Sequence, residues 1–124
     1  MFLLFDLSVK DSIHLALFET ETIEHKIYSD RNRELLSCVN DLLKEKRPSG
    51  IMVVVGSGSF TSTRIACVVA NTFGYVLQIP LLAITKAEAS DPQKLIKKLL
   101  KQPRGQYISA TYSGEANIGL KELC

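Results

Sequence analysis

This chain has no cysteine pair that could form a metal clip or a disulfide framework. Its three cysteines, Cys38, Cys67 and Cys124, are odd in number, widely spaced and form no Cys-x-x-Cys. That excludes a zinc ribbon and points to a reducing, cytoplasmic compartment. Long apolar runs are also missing. None approaches the ~20 residues that a membrane span needs, so no membrane association is expected. Met1 to Leu7 is apolar, but it contains Asp6 and lacks both a basic start and a small-residue cleavage site. It does not read as a signal peptide. Charge of one sign is scarce too. The formal net charge of +2 is too small to indicate a nucleic-acid binder by itself. There is no internal repeat and no low-complexity segment. What remains is one soluble globular domain of 124 residues, long enough to bury roughly two-thirds of its unfolded surface.

The richest stretch is Val53-Val54-Val55-Gly56-Ser57-Gly58-Ser59-Phe60-Thr61-Ser62-Thr63-Arg64. A β-branched run meets a Gly/Ser/Thr loop, and the loop opens into an apolar-periodic segment. This predicts strand, glycine turn and helix N-terminus. Gly56 and Gly58 allow positive φ, and Ser59, Thr61 and Ser62 can cap free helix N–H groups. Such a junction suits an anion or a docking partner, and it also suits a plain strand-to-helix connection. It lacks the Lys of a P-loop. Thr61 stands where a dinucleotide fingerprint needs its third Gly, and no serine has the frame of a nucleophile elbow.

The rest of the chain divides cleanly. Met1 to Leu7 reads as a buried strand, and alternation predicts a second strand over Ile13 to Phe18. A third, edge-like strand follows over Ile23 to Ile27. His14 lies among outward positions, and His25 shares a face with Ile23 and Ile27. Both read as structural or solvated, because neither has a nucleophile or metal ligand nearby. Asp30 can cap a helix carrying Leu35, Leu36, Val39, Leu42 and Leu43, which ends near Lys46-Arg47 before Pro48 and Gly50. Ile51 to Val55 is a central strand, and a second helix runs from about Ser62 to Leu77. A fifth strand follows over Leu81 to Thr85. Asp91-Pro92 starts a third helix with Leu95, Ile96, Leu99 and Leu100 on one face. Its other face carries Lys94, Lys97, Lys98 and Lys101, either solvated or in contact with phosphates. Tyr107 to Tyr112 is read as a short strand, followed by a tail.

The order β-β-β-α-β-α-β with right-handed crossovers predicts an α/β fold with a five-stranded mixed sheet, order 3-2-1-4-5. That is the ribonuclease-H-like or actin-like ATPase architecture, as a single lobe. Nucleases of that architecture keep a metal-binding carboxylate at the end of the first strand, where Asp6 stands; Asp6 reads first as a strand-end residue that caps or hydrogen bonds locally. A two-metal nuclease needs several converging carboxylates; Glu34 and Asp41 are candidates, but no acid stands near Gly56. A kinase needs small residues after the first strand, where Leu7 and Val9 stand instead. No catalytic residue, metal or cofactor is expected. The second helix carries small residues, Thr63, Ala66, Cys67, Ala70 and Gly74, at three- and four-residue spacing, which permits close approach of another backbone. Ile65, Val68, Val69, Val76 and Leu77 occupy its opposite face. One face can pack on the sheet, and the other must meet a second helix or another protein.

Gly56 to Ala66 resembles the Gly-Pro-Gly-Ser-Phe-Thr-Gly-Leu-Arg-Ile-Gly motif of the TsaB (YeaZ) family, bacterial accessory subunits in making threonylcarbamoyladenosine on transfer RNA. Ile79 to Ile84 resembles that family's next strand, and Phe5-Asp6-Leu7-Ser8 is similar to its initial Asp-Thr-Ser. Ser57, Ser62, Thr63 and Ala66 depart from the motif. The similarity covers about Met1 to Ala89, so residues 1–89 read as the N-terminal lobe and 90–124 as a helix and tail in place of the second lobe. The resemblance implies a non-catalytic subunit that docks a TsaD-like catalytic subunit through helices 30–46 and 62–77. It also implies a TsaE-like ATPase as a further partner, a homodimer when alone and only indirect contact with tRNA. The interface would then use Leu35, Leu36, Val39, Leu43, Thr63, Ala66, Cys67, Ala70, Phe73 and Gly74. The other reading is a small nucleotide- or anion-binding enzyme using Asp6 with Gly56, Ser57, Gly58, Ser59, Phe60, Thr61 and Arg64.

Overall fold

A computed structural model describes residues 1–10, 12–28, 35–104 and 107–108. In chain order the elements are β1 (Phe2–Asp6), β2 (Ile13–Phe18), β3 (Ile23–Tyr28), α1 (Leu35–Leu43), β4 (Ile51–Val54), α2 (Phe60–Leu77) and β5 (Leu81–Ile84). Two 3-10 turns, Glu88–Ser90 and Pro92–Leu95, then lead into a short α3 (Ile96–Leu100). The strands form one sheet in the order β3-β2-β1-β4-β5. β1, β2 and β3 are an antiparallel meander, while β4 and β5 run parallel to β1.

Both faces of the sheet are covered around β1 and β4, which explains their unbroken apolar sequences. On one face Leu3, Phe5, Leu15, Ile51 and Val53 pack against Leu35, Cys38, Val39 and Leu43 of α1 and Ala66, Cys67 and Ala70 of α2. On the other, Phe2, Leu4, Ala16, Phe18, Met52, Val54 and Ile84 pack with Leu99 of α3. Gln93 ties the second 3-10 turn to the β2–β3 turn, donating to the carbonyls of Glu19 and Thr22 at 3.0 and 3.2 Å.

Beyond shifts of one residue at strand ends, the structure differs from the sequence expectations at four places. α2 begins at Phe60, two residues early, because extended Ser59 is the cap and its Oγ accepts from the Ser62 N–H at 3.0 Å. α1 stops at Leu43 because Lys44 and Glu45 turn the chain at positive φ, 49° and 73°. The Asp91 side chain caps no helix; its carboxylate pairs with Lys94 at 3.5 Å, and the segment winds as 3-10 before α3. Tyr107–Ile108 forms no strand. Instead the Asn71 amide bonds the backbone of Ile108 in both directions, at 2.9 and 3.1 Å. Asp30, Glu34, Cys124 and the remainder of the expected last strand and tail lie outside the described residues.

Candidate functional site

The carboxyl ends of β1, β4 and β5 lie side by side, the edge at which open α/β sheets receive ligands. Asp6 ends β1 there and is 3% exposed. A buried carboxylate needs partners, and the chain supplies three. Lys86, two residues past β5, places its ammonium 2.6 Å from Oδ2. The Ser8 N–H and Oγ donate to Oδ1 at 2.9 and 2.5 Å. Burial pushes this carboxyl up, but the hydrogen bonds from Lys86 and Ser8 outweigh it, so its pKa lies below the ordinary 3.8. Lys86 is itself positioned. Thr85 and Glu88 exchange side-chain bonds to each other's backbone N–H, at 2.8 and 3.1 Å, and fix the turn that carries it.

His14 stands opposite Asp6 in the β1–β2 register, with Nδ1 3.9 Å from Oδ2. Its Nε2 lies 2.8 Å from Nδ1 of His25. Burial, reinforced by His25, lowers the pKa of His14. The two imidazoles are therefore joined to each other and, through His14, to the Asp6 corner. No local sequence signal showed this or the Lys86 pairing. The His14 position was readable only from the hairpin register, and Lys86 lies 80 residues from Asp6. Among the described residues no three His, Cys, Asp or Glu side chains gather into a metal site. Cys38 and Cys67 are free and buried, and burial pushes the Cys67 thiol up to about 11, away from the reactive thiolate.

The glycine loop runs beside this corner. Gly56 and Gly58 take φ of 77° and 76°. A Cβ on Gly58 would fall 2.5 Å from the Ser8 carbonyl oxygen, so the loop packs against the residue that holds Asp6. Ser57 is half-buried, Thr61 and Arg64 are exposed, and Phe60 opens the helix. The structure thus brings Asp6 and the loop together, with the Asp6 charge already matched inside the chain.

The expected interface residues divide into two groups. Leu35, Val39 and Leu43 face the core. So does the small-residue stripe. Ala66, Cys67 and Ala70 pack in the core, and the Thr63 hydroxyl donates to the Ser59 carbonyl at 2.9 Å. A Cβ on Gly74 would fall 2.9 Å from Leu81 Cδ1. These residues are small so that α2 can sit close to its own sheet, which corrects their assignment to a partner surface. Phe73 is half-buried against the same core. Only Leu36 of the expected set is well exposed. The surface open to a partner is the other side of α2. There Ile65, Val68, Tyr75 and Val76 lie exposed along one stripe, Val68 at 61% and Val76 at 68%. Lys94, Lys97, Lys98 and Lys101 are exposed on α3 and the turn before it.

Searched against family models and against curated protein sequences, the chain matches none. Solved structures do match. YeaZ from Pseudomonas aeruginosa is 28% identical with a TM-score of 0.59, over 68% of this chain and 44% of that one. Its structural neighbours are YeaZ (TsaB) family proteins. Another is described as an uncharacterized protein with similarity to peptidase YeaZ from Pseudomonas aeruginosa. It is 25% identical with a TM-score of 0.59, over 73% of this chain and 49% of that one. The YeaZ-like sheet order 3-2-1-4-5 is that of the ribonuclease-H-like, actin-like ATPase fold. The chain spans less than half the length of either YeaZ structure.

Proposed function

We propose that this chain is a TsaB-like accessory subunit, without chemistry of its own, in the complex that transfers threonylcarbamoyl to adenosine in tRNA. It docks a TsaD-like catalytic subunit through the outer face of α2 together with α1. The observation that carries this reading is the exposed apolar stripe Ile65, Val68, Tyr75 and Val76, with Leu36 exposed on α1. A helix whose inner face already packs on its own sheet has no internal use for such a stripe, and exposed apolar patches mark interaction sites. The YeaZ-like fold supports the choice of partner. A TsaE-like ATPase joins the pair, and tRNA is met only through the complex.

The test is light scattering after size exclusion, alone and mixed with the TsaD-like subunit of the same organism. A one-to-one complex that Val68→Glu abolishes supports the reading. A chain that ignores that subunit at well above micromolar concentration overturns it. A complex that survives both Val68→Glu and Tyr75→Glu moves the docking surface elsewhere.

A further inference from the structure

β3 is the outermost strand of the sheet, and among the described residues no element pairs with its outer edge. Every residue from Ile23 to Ile27 is exposed. Sheet edges are commonly blunted by proline, by a bulge or by charged side chains, lysine above all. Ile23–Tyr28 has no proline, and its register with β2 is unbroken across six pairs. Its two charges are opposite, and both lie on one face, across from Leu17 and Leu15. Ile23, His25 and Ile27 lie on the other face.

We infer that β3 pairs antiparallel with β3 of a second copy of this chain, about a two-fold axis at His25. The strand sequence is its own complement in that register. Ile23 meets the second copy's Ile27, Glu24 meets Lys26, and His25 meets His25. Two-fold symmetry then repeats each contact, as an isologous interface requires. The charges select this register against its neighbours. A slip of two residues in one direction sets Glu24 against Glu24, and in the other Lys26 against Lys26. Like charges directly opposite one another destabilise a sheet, whereas opposite charges and paired β-branched residues stabilise it. Ile27, 62% exposed in the single chain, gains an apolar cross-strand neighbour. The two sheets become one ten-stranded sheet. This surface is separate from the outer face of α2, so the inference stands independently of the proposed function, and both surfaces can be occupied at once.

The experiment is sedimentation velocity on the full chain over a range of concentrations, with Glu24→Lys, Lys26→Glu, the double variant and an equimolar mixture of the two single variants. Each single variant turns two attractive pairs into repulsive ones, and dimerisation is expected to weaken about tenfold. The double variant restores the pairs with their signs exchanged. In the mixture, a strand with two lysines meets a strand with two glutamates, and dimers are expected to return at wild-type strength or better. Three results overturn the inference: a wild-type chain that stays monomeric at every concentration reached, single variants that dimerise as well as wild type, or a mixture no stronger than its components. A dimer that ignores both charges but is lost in Val68→Glu assigns self-association to α2 instead.

Discussion

The Asp6 corner and the outer face of α2 hold opposite kinds of residue in opposite states. At the corner, a carboxylate, an ammonium, a hydroxyl and two imidazoles are joined to one another. Those are side chains from which catalytic sites are commonly built, yet here they hold β1, β2 and the turn after β5 in place. On α2, ordinary aliphatic and aromatic side chains stand in solvent. The polar groups of the corner are matched to one another within the chain, whereas the apolar groups of the face are not covered by it.

The sharpest way to break this comparison is to strike the inner side of α2. Ala70 is fully buried, so Ala70→Glu overpacks the core and buries an unpaired charge. It should cost about 3–5 kcal/mol and unfold much of the population, read by far-UV circular dichroism and urea titration. A well-folded variant that loses only partner binding would return the small-residue stripe to the interface.

The corner is next. Lys86→Met leaves a buried carboxylate with only the Ser8 donors. A loss of about 1–3 kcal/mol is expected, because a hydrogen bond to a charged group is removed. The pH dependence sharpens this. Asp6 is depressed in the folded chain, so its contribution is fully present above its ordinary 3.8. That contribution falls as pH drops from there through the lower native value, because the unfolded chain binds the proton first. Thermal unfolding of the wild type should therefore lose Tm more steeply below that point than Asp6→Asn does. Equal slopes would remove the corner from the stability argument.

The smallest effect on stability is expected on the outer face. Val68→Glu should change unfolding free energy by less than about 0.5 kcal/mol, since the residue is already in solvent. A large loss would mean that this face is covered within the chain.

Much of the fold was legible. The alternation over Ile13 to Phe18 and Ile23 to Ile27, and the unbroken apolar runs at Phe2 and Ile51, fixed the strands and, with the crossover rule, their order. The candidate site was legible only in outline. Asp6 and the glycine loop could be placed at one sheet edge. Lys86 could not be assigned to Asp6, because nothing local links residues 80 positions apart. The α2 stripe shows a second limit. Small residues state how near a neighbour comes, but not which neighbour, and here it is Leu81 and the chain's own sheet. Lys44 and Glu45 carry no glycine-like signal for their positive φ, so the early end of α1 was invisible.

The central place of β1 has a consequence for synthesis. Its partners arrive at different times. β2 follows at once, but Leu3 pairs with Ile51, which is translated 48 residues later. At ordinary elongation rates that is roughly two to ten seconds. Throughout that interval the side of β1 that will receive β4 carries unpaired backbone N–H and C=O groups on a growing nascent chain. The meander must outlast the wait without capturing a strand from a neighbouring ribosome's product.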